Sequence, residues 1–129
     1  MNAFIFDMDG VLADNSDFHV QSWTEYSRQY GRELSAEDIK RRLGFNNREY
    51  MRFVLDREPT EAEVVKSTVE KEALYREIYK DHLVAPPGLI ALLEAAKQAG
   101  IVCGVATSAP EDNVRFVLDG LGIRPYFKE

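Results

Sequence analysis

The stretch FIFDMDGVLAD, residues Phe4–Asp14, places two carboxylates directly after a run of apolar residues. The unbroken apolar run at residues 3–6 predicts a short strand that is buried on both faces of a parallel sheet. If the backbone stays extended, the side chains of Asp7 and Asp9 point the same way, because a strand alternates with a period of two. Two like charges held close together raise each other's free energy. A metal cation, or a proton shared with a substrate, is needed to offset them.

Two other interpretations of the D-x-D-G pattern concern turns and calcium loops. Asp and Gly are common in turns, so a purely structural Asp-rich turn stays open. A calcium-binding loop that began at Asp7 would need Gly at its sixth position and Glu at its twelfth. Those positions hold Leu12 and Phe18, which excludes the calcium loop.

A long block with helical spacing of its apolar residues separates this strand from a second one. Its helices are predicted at residues 17–30, 35–44, 48–58 and 60–80, with capping boxes at SAED (Ser35–Asp38) and TEAE (Thr60–Glu63). The block is too long for an ordinary connection of ~2–6 residues, so residues 15–81 are predicted to be an inserted all-helical domain. Residues 1–14 and 82–129 then form a discontinuous α/β domain, with helices at 89–99 and 111–119 around a second buried strand at 101–107.

Hydroxyl groups follow the second strand, as carboxylates follow the first. Thr107 ends the run IVCGVAT, and Ser108 begins the turn into the next helix. Hydroxyls and backbone amides at the start of a helix can bind an anion. Because parallel strands end at the same edge of a sheet, the two strand ends together suit a metal-bound phosphate.

Three segments resemble the haloacid dehalogenase superfamily. FDMDGVLAD is similar to the first motif of that superfamily, D-x-D-G-V/T-L, and GVATSAP is similar to its second motif. The helical insertion resembles the superfamily's helical cap. In detail the cap resembles that of the β-phosphoglucomutase and sugar-phosphate phosphatase branch. His19 and Trp23 match H-x-x-x-W, LGFNNR (Leu43–Arg48) resembles a cap loop, and Lys71 resembles a cap lysine near the substrate.

The resemblance implies a Rossmann-like α/β core and a Mg²⁺-dependent phosphoryl transfer through an aspartyl phosphate. Asp7 would be the nucleophile, and Asp9 would be the general acid and base. Thr107 would hold a phosphoryl oxygen, and Mg²⁺ would bind the Asp7 carboxylate and the Asp9 backbone carbonyl. A small phosphorylated metabolite would be the substrate, contacted by His19, Trp23, Arg48, Lys71 and Ser108.

The cap residues also have structural interpretations, which the sequence leaves open. His19 could be a surface histidine, Trp23 a residue of the cap core, and Arg48 and Lys71 solvated helix charges. For the reaction, a phosphatase is expected first and a β-phosphoglucomutase-like phosphomutase second. A catalytically incomplete fragment or interaction module that keeps the fold is the alternative of another class.

Two further motifs of the superfamily do not appear after Thr107. One is a lysine usually followed by proline, whereas Lys128 is followed by Glu129, and the other is an acidic pair at a strand end. The chain is therefore predicted to be the N-terminal part of a longer enzyme, with little hydrolysis by itself. Its open sheet edge would be completed by a missing C-terminal segment or by self-association.

Charge and hydropathy exclude several classes of partner. The 129 residues carry a net charge of −6, and the densest basic segment, IKRRL (Ile39–Leu43), follows acidic residues, so no nucleic-acid partner is predicted. The N-terminus shows neither a signal peptide nor a membrane span. The single cysteine, Cys103, lies in an apolar run and is predicted to be a buried small side chain. These features predict a cytoplasmic protein.

Overall fold

A computed structural model describes residues 2–128, which divide into two compact units. The α/β unit comprises Met1–Asn15 and Lys80–Glu129, and the helical unit comprises Ser16–Tyr79. These bounds differ by one or two residues from the domains predicted from the sequence.

The chain contains two strands and six α-helices within the described residues. In chain order they are β1 (Ala3–Phe6), α1 (Ser16–Arg28), α2 (Ala36–Lys40), α3 (Asn47–Leu55), α4 (Glu61–Tyr79), α5 (Leu89–Gln98), β2 (Val102–Val105) and α6 (Glu111–Gly120). The third helix is shorter than predicted, because Asp56 adopts a left-handed backbone with φ 54° and ends α3 at Leu55. None of the helices described here is both long and apolar enough to cross a membrane.

The two strands of the α/β unit pair in parallel, which confirms the predicted fold class. Ala3 lies opposite Val102 and Phe6 lies opposite Val105. The amide of Ala106 donates to the Phe6 carbonyl at 2.8 Å, which extends the pairing by one residue. On the other side of β2, the Lys128 amide donates to the Cys103 carbonyl at 3.0 Å.

The prediction that both strands are buried is wrong for β1. Phe4 and Ile5 expose 40% and 69% of their surface, and in β2 only Cys103 is buried. α5 packs against β2, but no described element covers the β1 side chains to the same degree. The core of the unit consists of Cys103 together with residues in the segment after β1, in the helices and near the C-terminus: Met8, Leu12, Ala13, Leu89, Leu93, Ala96, Val117, Leu118 and Ile123.

The helical unit is built around an aromatic core. Its buried cluster is Val20, Trp23, Tyr26, Leu34, Ile39, Tyr50, Met51 and Val54. Both predicted capping boxes form, with Ser35 paired to Asp38 and Thr60 paired to Glu63. α1 packs along α4, and the two ends of the unit meet where the Phe18 and Tyr79 rings stack with centroids 4.4 Å apart.

Burial of Tyr50 predicts a loss of stability in alkaline solution. Burial raises the pKa of Tyr50 to about 12, above the usual value of ~10 for an unfolded chain. The contribution of Tyr50 to the free energy of unfolding is complete below pH ~10. It declines as the pH rises towards 12, because Tyr50 ionises first in the unfolded chain. From this residue, the free energy of unfolding should fall by about 1.4 kcal/mol per pH unit.

Urea unfolding followed by circular dichroism between pH 8 and 11.5 measures this slope. The slope should be shallower in Tyr50→Phe, which removes the titrating group and keeps the ring. Identical slopes in the two proteins would show that the Tyr50 hydroxyl ionises equally in both states.

Candidate active site

Asp7 and Asp9 follow β1 on the exposed side of a tight turn. Both residues are exposed, whereas Met8 between them is fully buried. The Met8 carbonyl accepts hydrogen bonds from three amides, those of Val11, Leu12 and Ala13, at 2.9–3.1 Å. The buried methionine therefore anchors the turn and leaves the two carboxylates accessible.

Gly10 closes this turn in a conformation that favours glycine. Its φ is 76°, and its amide donates to the Ala13 carbonyl at 2.8 Å. A side chain at this position would be strained in the left-handed region. The glycine of the D-x-D-G pattern is thus required by the turn that follows the two aspartates.

Each carboxylate accepts a hydrogen bond within the turn segment. Asp7 Oδ1 accepts from the Met8 amide at 2.7 Å. Asp9 Oδ1 accepts from Asn15 Nδ2 at 2.6 Å, and Asn15 is only 1% exposed. Asn15 was not among the site residues predicted from the sequence. The sequence signal that could have identified Asn15 is its position, because a polar residue here directly follows the segment Leu12–Asp14 and precedes a helix.

Thr107 lies at the same edge of the sheet, two residues beyond the end of β2. The strand is shorter than predicted, but its parallel register with β1 brings the segments after Phe6 and after Val105 to one edge. Thr107 Oγ1 accepts a hydrogen bond from the Ala109 amide at 3.1 Å and so orders the turn before α6. Ser108 in this turn is exposed.

The donor atoms at this edge fit part of a magnesium site. The Asp7 carboxylate and the Asp9 backbone carbonyl are hard oxygen ligands of the type that Mg²⁺ prefers, and Mg²⁺ commonly keeps several water ligands. Among residues 2–128, however, no group of three His, Cys, Asp or Glu side chains is placed to hold a metal ion.

A second group of predicted site residues meets inside the helical unit. Lys71 is 1% exposed, and its Nζ lies 2.9 Å from His19 Nδ1 and 3.3 Å from Glu72 Oε1. The same Nζ lies 5.1 Å from the centroid of the Trp23 ring, as in a cation–π contact. The interpretation of Lys71 as a solvated helix charge is therefore wrong.

The Lys71 contact orients the His19 ring, whose Nδ1 faces the Lys71 Nζ. The ring is held further by stacking on Tyr75, with centroids 4.0 Å apart and planes 1° from parallel. His19 itself is partly exposed.

Trp23 and Arg48 have different environments from His19. Trp23 is 2% exposed and stacks on Tyr50 at 4.4 Å, so it is a residue of the cap core. The guanidinium of Arg48 pairs with Glu58 at 3.4 Å and with Glu61. Contact of either residue with a substrate stays a prediction.

Comparison with known proteins agrees with the fold. The profile of the haloacid dehalogenase-like hydrolases matches residues 1–129. The chain belongs to this family of hydrolases.

Relatives within the family include phosphatases and phosphomutases. The chain is 30% identical over 132 residues to a phosphorylated carbohydrates phosphatase of Thermotoga maritima, covering 98% of this chain and 59% of that protein. The structure of a HAD hydrolase, family IA, variant 3, from Entamoeba histolytica superposes with a TM-score of 0.90 at 28% identity, over 99% of this chain and 58% of that one. A β-phosphoglucomutase from Clostridium difficile superposes with a TM-score of 0.80 at 27% identity, over 99% and 60%. The chain thus spans somewhat less than two thirds of the length of these relatives.

Proposed function

We propose that the protein carrying this chain is a phosphatase that acts on a small phosphorylated carbohydrate through an aspartyl phosphate. The observation that carries the proposal is the pair of exposed carboxylates, Asp7 and Asp9, at the carboxyl edge of the parallel sheet. The Thermotoga maritima phosphatase supports the substrate class. The likeness to the Clostridium difficile β-phosphoglucomutase favours a phosphomutase as the second candidate.

In the proposed reaction the two carboxylates have separate tasks. A carboxylate oxygen of Asp7 attacks phosphorus, so that an oxygen–phosphorus bond forms while the bond to the ester oxygen breaks. Asp9 gives its proton to the departing oxygen and then takes a proton from the water that attacks the aspartyl phosphate. Inorganic phosphate leaves, and Asp7 and Asp9 return to their starting states.

Other residues of the sheet edge bind the phosphoryl group in this proposal. Thr107 and the amides of its turn hold phosphoryl oxygens, and Ser108 adds a second hydroxyl. When Mg²⁺ is bound by the Asp7 carboxylate and the Asp9 carbonyl, it neutralises the charge of the phosphoryl oxygens.

The direct test is an assay of the full-length protein with and without Mg²⁺. Release of inorganic phosphate from sugar phosphates, lost when the metal is removed with a chelator, is the expected result. Conversion of one sugar phosphate into its isomer, without phosphate release, would favour the phosphomutase. Absence of both reactions across a panel of phosphate esters would contradict the proposal.

We also propose that His19, in the orientation set by its contact with Lys71, contributes to the choice of substrate. His19→Ala should lower kcat/KM towards sugar phosphates by about tenfold, the effect of losing about 1.4 kcal/mol of hydrogen bonding. Its effect on p-nitrophenyl phosphate should be smaller, because that ester offers no sugar hydroxyl.

The chain's other histidine provides the matched control for this variant. His82 is exposed and belongs to the α/β unit, so His82→Ala should leave both activities unchanged. Equal losses on both esters in a well-folded His19→Ala protein would assign His19 a structural role.

A further inference from the structure

Asn15 is a buried amide that contacts a residue of the proposed reaction. It is 1% exposed and is the last residue of the α/β unit before the chain continues into α1. Its side chain lies 2.6 Å from Asp9 Oδ1. Because a carboxylate oxygen can only accept, the amide atom that faces it is the donor Nδ2.

The surrounding turn fixes the distance between the two side chains. Three amides converge on the Met8 carbonyl, and Gly10 and Ala13 are joined by a 2.8 Å hydrogen bond. The backbone at Asp9 and Ala13 also forms a parallel bridge. Asp9 and Asn15 are therefore held by one closed, hydrogen-bonded segment, so their contact is preorganised.

We infer that Asn15 is a positioning residue for the proton transfer performed by Asp9. The Nδ2 donor holds Asp9 Oδ1 and so fixes the orientation of the carboxyl group that gives its proton to the substrate. This inference rests on the proposed function, in which Asp9 is the general acid. Asn15 neither gains nor loses a proton. The proton passes from the Asp9 carboxyl group to the ester oxygen while the bond between that oxygen and phosphorus breaks and Asp7 binds phosphorus.

The kinetic consequence depends on the leaving group. A sugar or glycerol alkoxide is strongly basic and needs a proton as it leaves, whereas p-nitrophenolate leaves readily as an anion. General acid catalysis typically contributes 10²–10⁴-fold. Loss of Asn15 should therefore slow the release of the alcohol from alkyl phosphates and leave the release of nitrophenolate from the aryl ester nearly unchanged, a difference that partial unfolding would not produce.

The test compares Asn15→Leu and Asn15→Ser in the full-length protein with glycerol 2-phosphate and p-nitrophenyl phosphate. Asn15→Leu removes the donor at similar volume and should lower kcat/KM for the glycerol ester by about 30- to 100-fold, within the range for a general acid. Its kcat/KM for the nitrophenyl ester should change less than threefold, because kcat/KM covers only the steps up to release of the alcohol, before Asp9 acts as the base towards water. Asn15→Ser keeps a shorter donor and should recover part of the lost rate. Asp9→Ala should show the same leaving-group pattern, and adding Asn15→Leu to it should cost nothing more.

A spectroscopic measurement on the full-length protein tests the contact without activity. The side-chain amide of Asn15 is assigned in a ¹H–¹⁵N spectrum by its loss in Asn15→Ser. Asp9→Ala should move this resonance and speed its exchange with solvent, while Asp14→Ala, a carboxylate removal in the same segment, should not.

The outcomes separate this inference from the proposed function. A selective loss on the glycerol ester together with the amide shift supports it. An amide unaffected by Asp9→Ala, equal losses on both esters, or no loss on either would overturn it while the phosphatase assignment stands. A wild-type protein that hydrolyses neither ester contradicts the proposed function and removes the catalytic role of Asn15 with it.

Discussion

Replacement of Asp7 by asparagine is expected to lower kcat of the full-length protein towards phosphate esters by about 10⁵-fold, the order of effect seen when other enzymes lose their nucleophile. Asparagine keeps the shape of the side chain but has a poorly nucleophilic amide. Asp7 is exposed at the end of β1, so the change should leave the fold intact. Steady-state hydrolysis of p-nitrophenyl phosphate measures the loss, because the leaving group of this ester needs no proton from Asp9.

Asp14→Asn is the matched control for this variant. Asp14 is an exposed carboxylate seven residues further along the chain. Its replacement by asparagine changes the charge by the same amount as Asp7→Asn. Its activity should stay within about twofold of the wild type, as expected for substitution of an exposed side chain to which no role in the reaction is assigned. If Asp7→Asn retained activity near that of the control, the attacking group would have to be sought elsewhere.

Replacement of Trp23 by alanine should destabilise the protein by about 3–5 kcal/mol, the usual cost of removing a large aromatic side chain from a core. The indole stacks on Tyr50 and meets the edge of Tyr26 at 6.0 Å. Its loss also removes the ring that lies beside the buried Lys71 ammonium. Because Trp23 is the single tryptophan, unfolding must be followed by circular dichroism rather than by fluorescence.

Val69→Ala gives the comparison for this stability measurement. Val69 lies on α4 and is 64% exposed, so its truncation should cost less than about 0.5 kcal/mol. A Trp23→Ala protein as stable as the Val69→Ala protein would show that Trp23 is not needed by the core. The match of Trp23 to the tryptophan of the H-x-x-x-W pattern would then favour contact with the substrate as the role of this residue.

Local patterns predicted the elements of this fold well. The apolar runs around residues 3–6 and 101–107 contain both strands, and Ser35 and Thr60 begin helices through side-chain bonds that span only three residues. Such features depend on neighbours in the sequence. The exposure of Ile5 could not be predicted in this way, because an apolar run indicates which residues can be buried and does not identify the element that covers them.

The contacts of the candidate site were predictable only in part. His19 and Lys71 were both singled out, but their 2.9 Å contact joins residues on α1 and α4 that are far apart in the sequence. Asn15 was missed because an asparagine just before a helix usually indicates an N-cap. Its contact with Asp9 depends on the turn anchored by Met8. No residue pattern predicts the three hydrogen bonds that the Met8 carbonyl accepts in this turn.

The stacking of Phe18 on Tyr79 has a consequence for the order of folding. Ala3 pairs with Val102, so the sheet joins segments almost one hundred residues apart. Such non-local pairing is intrinsically slow, because chain entropy is lost before the contact forms. With residues 18 and 79 held together, the chain that remains to be closed is less than half as long, which lowers the entropic cost by about 1 kcal/mol. The helical unit is therefore expected to fold before the strands pair and to speed their pairing.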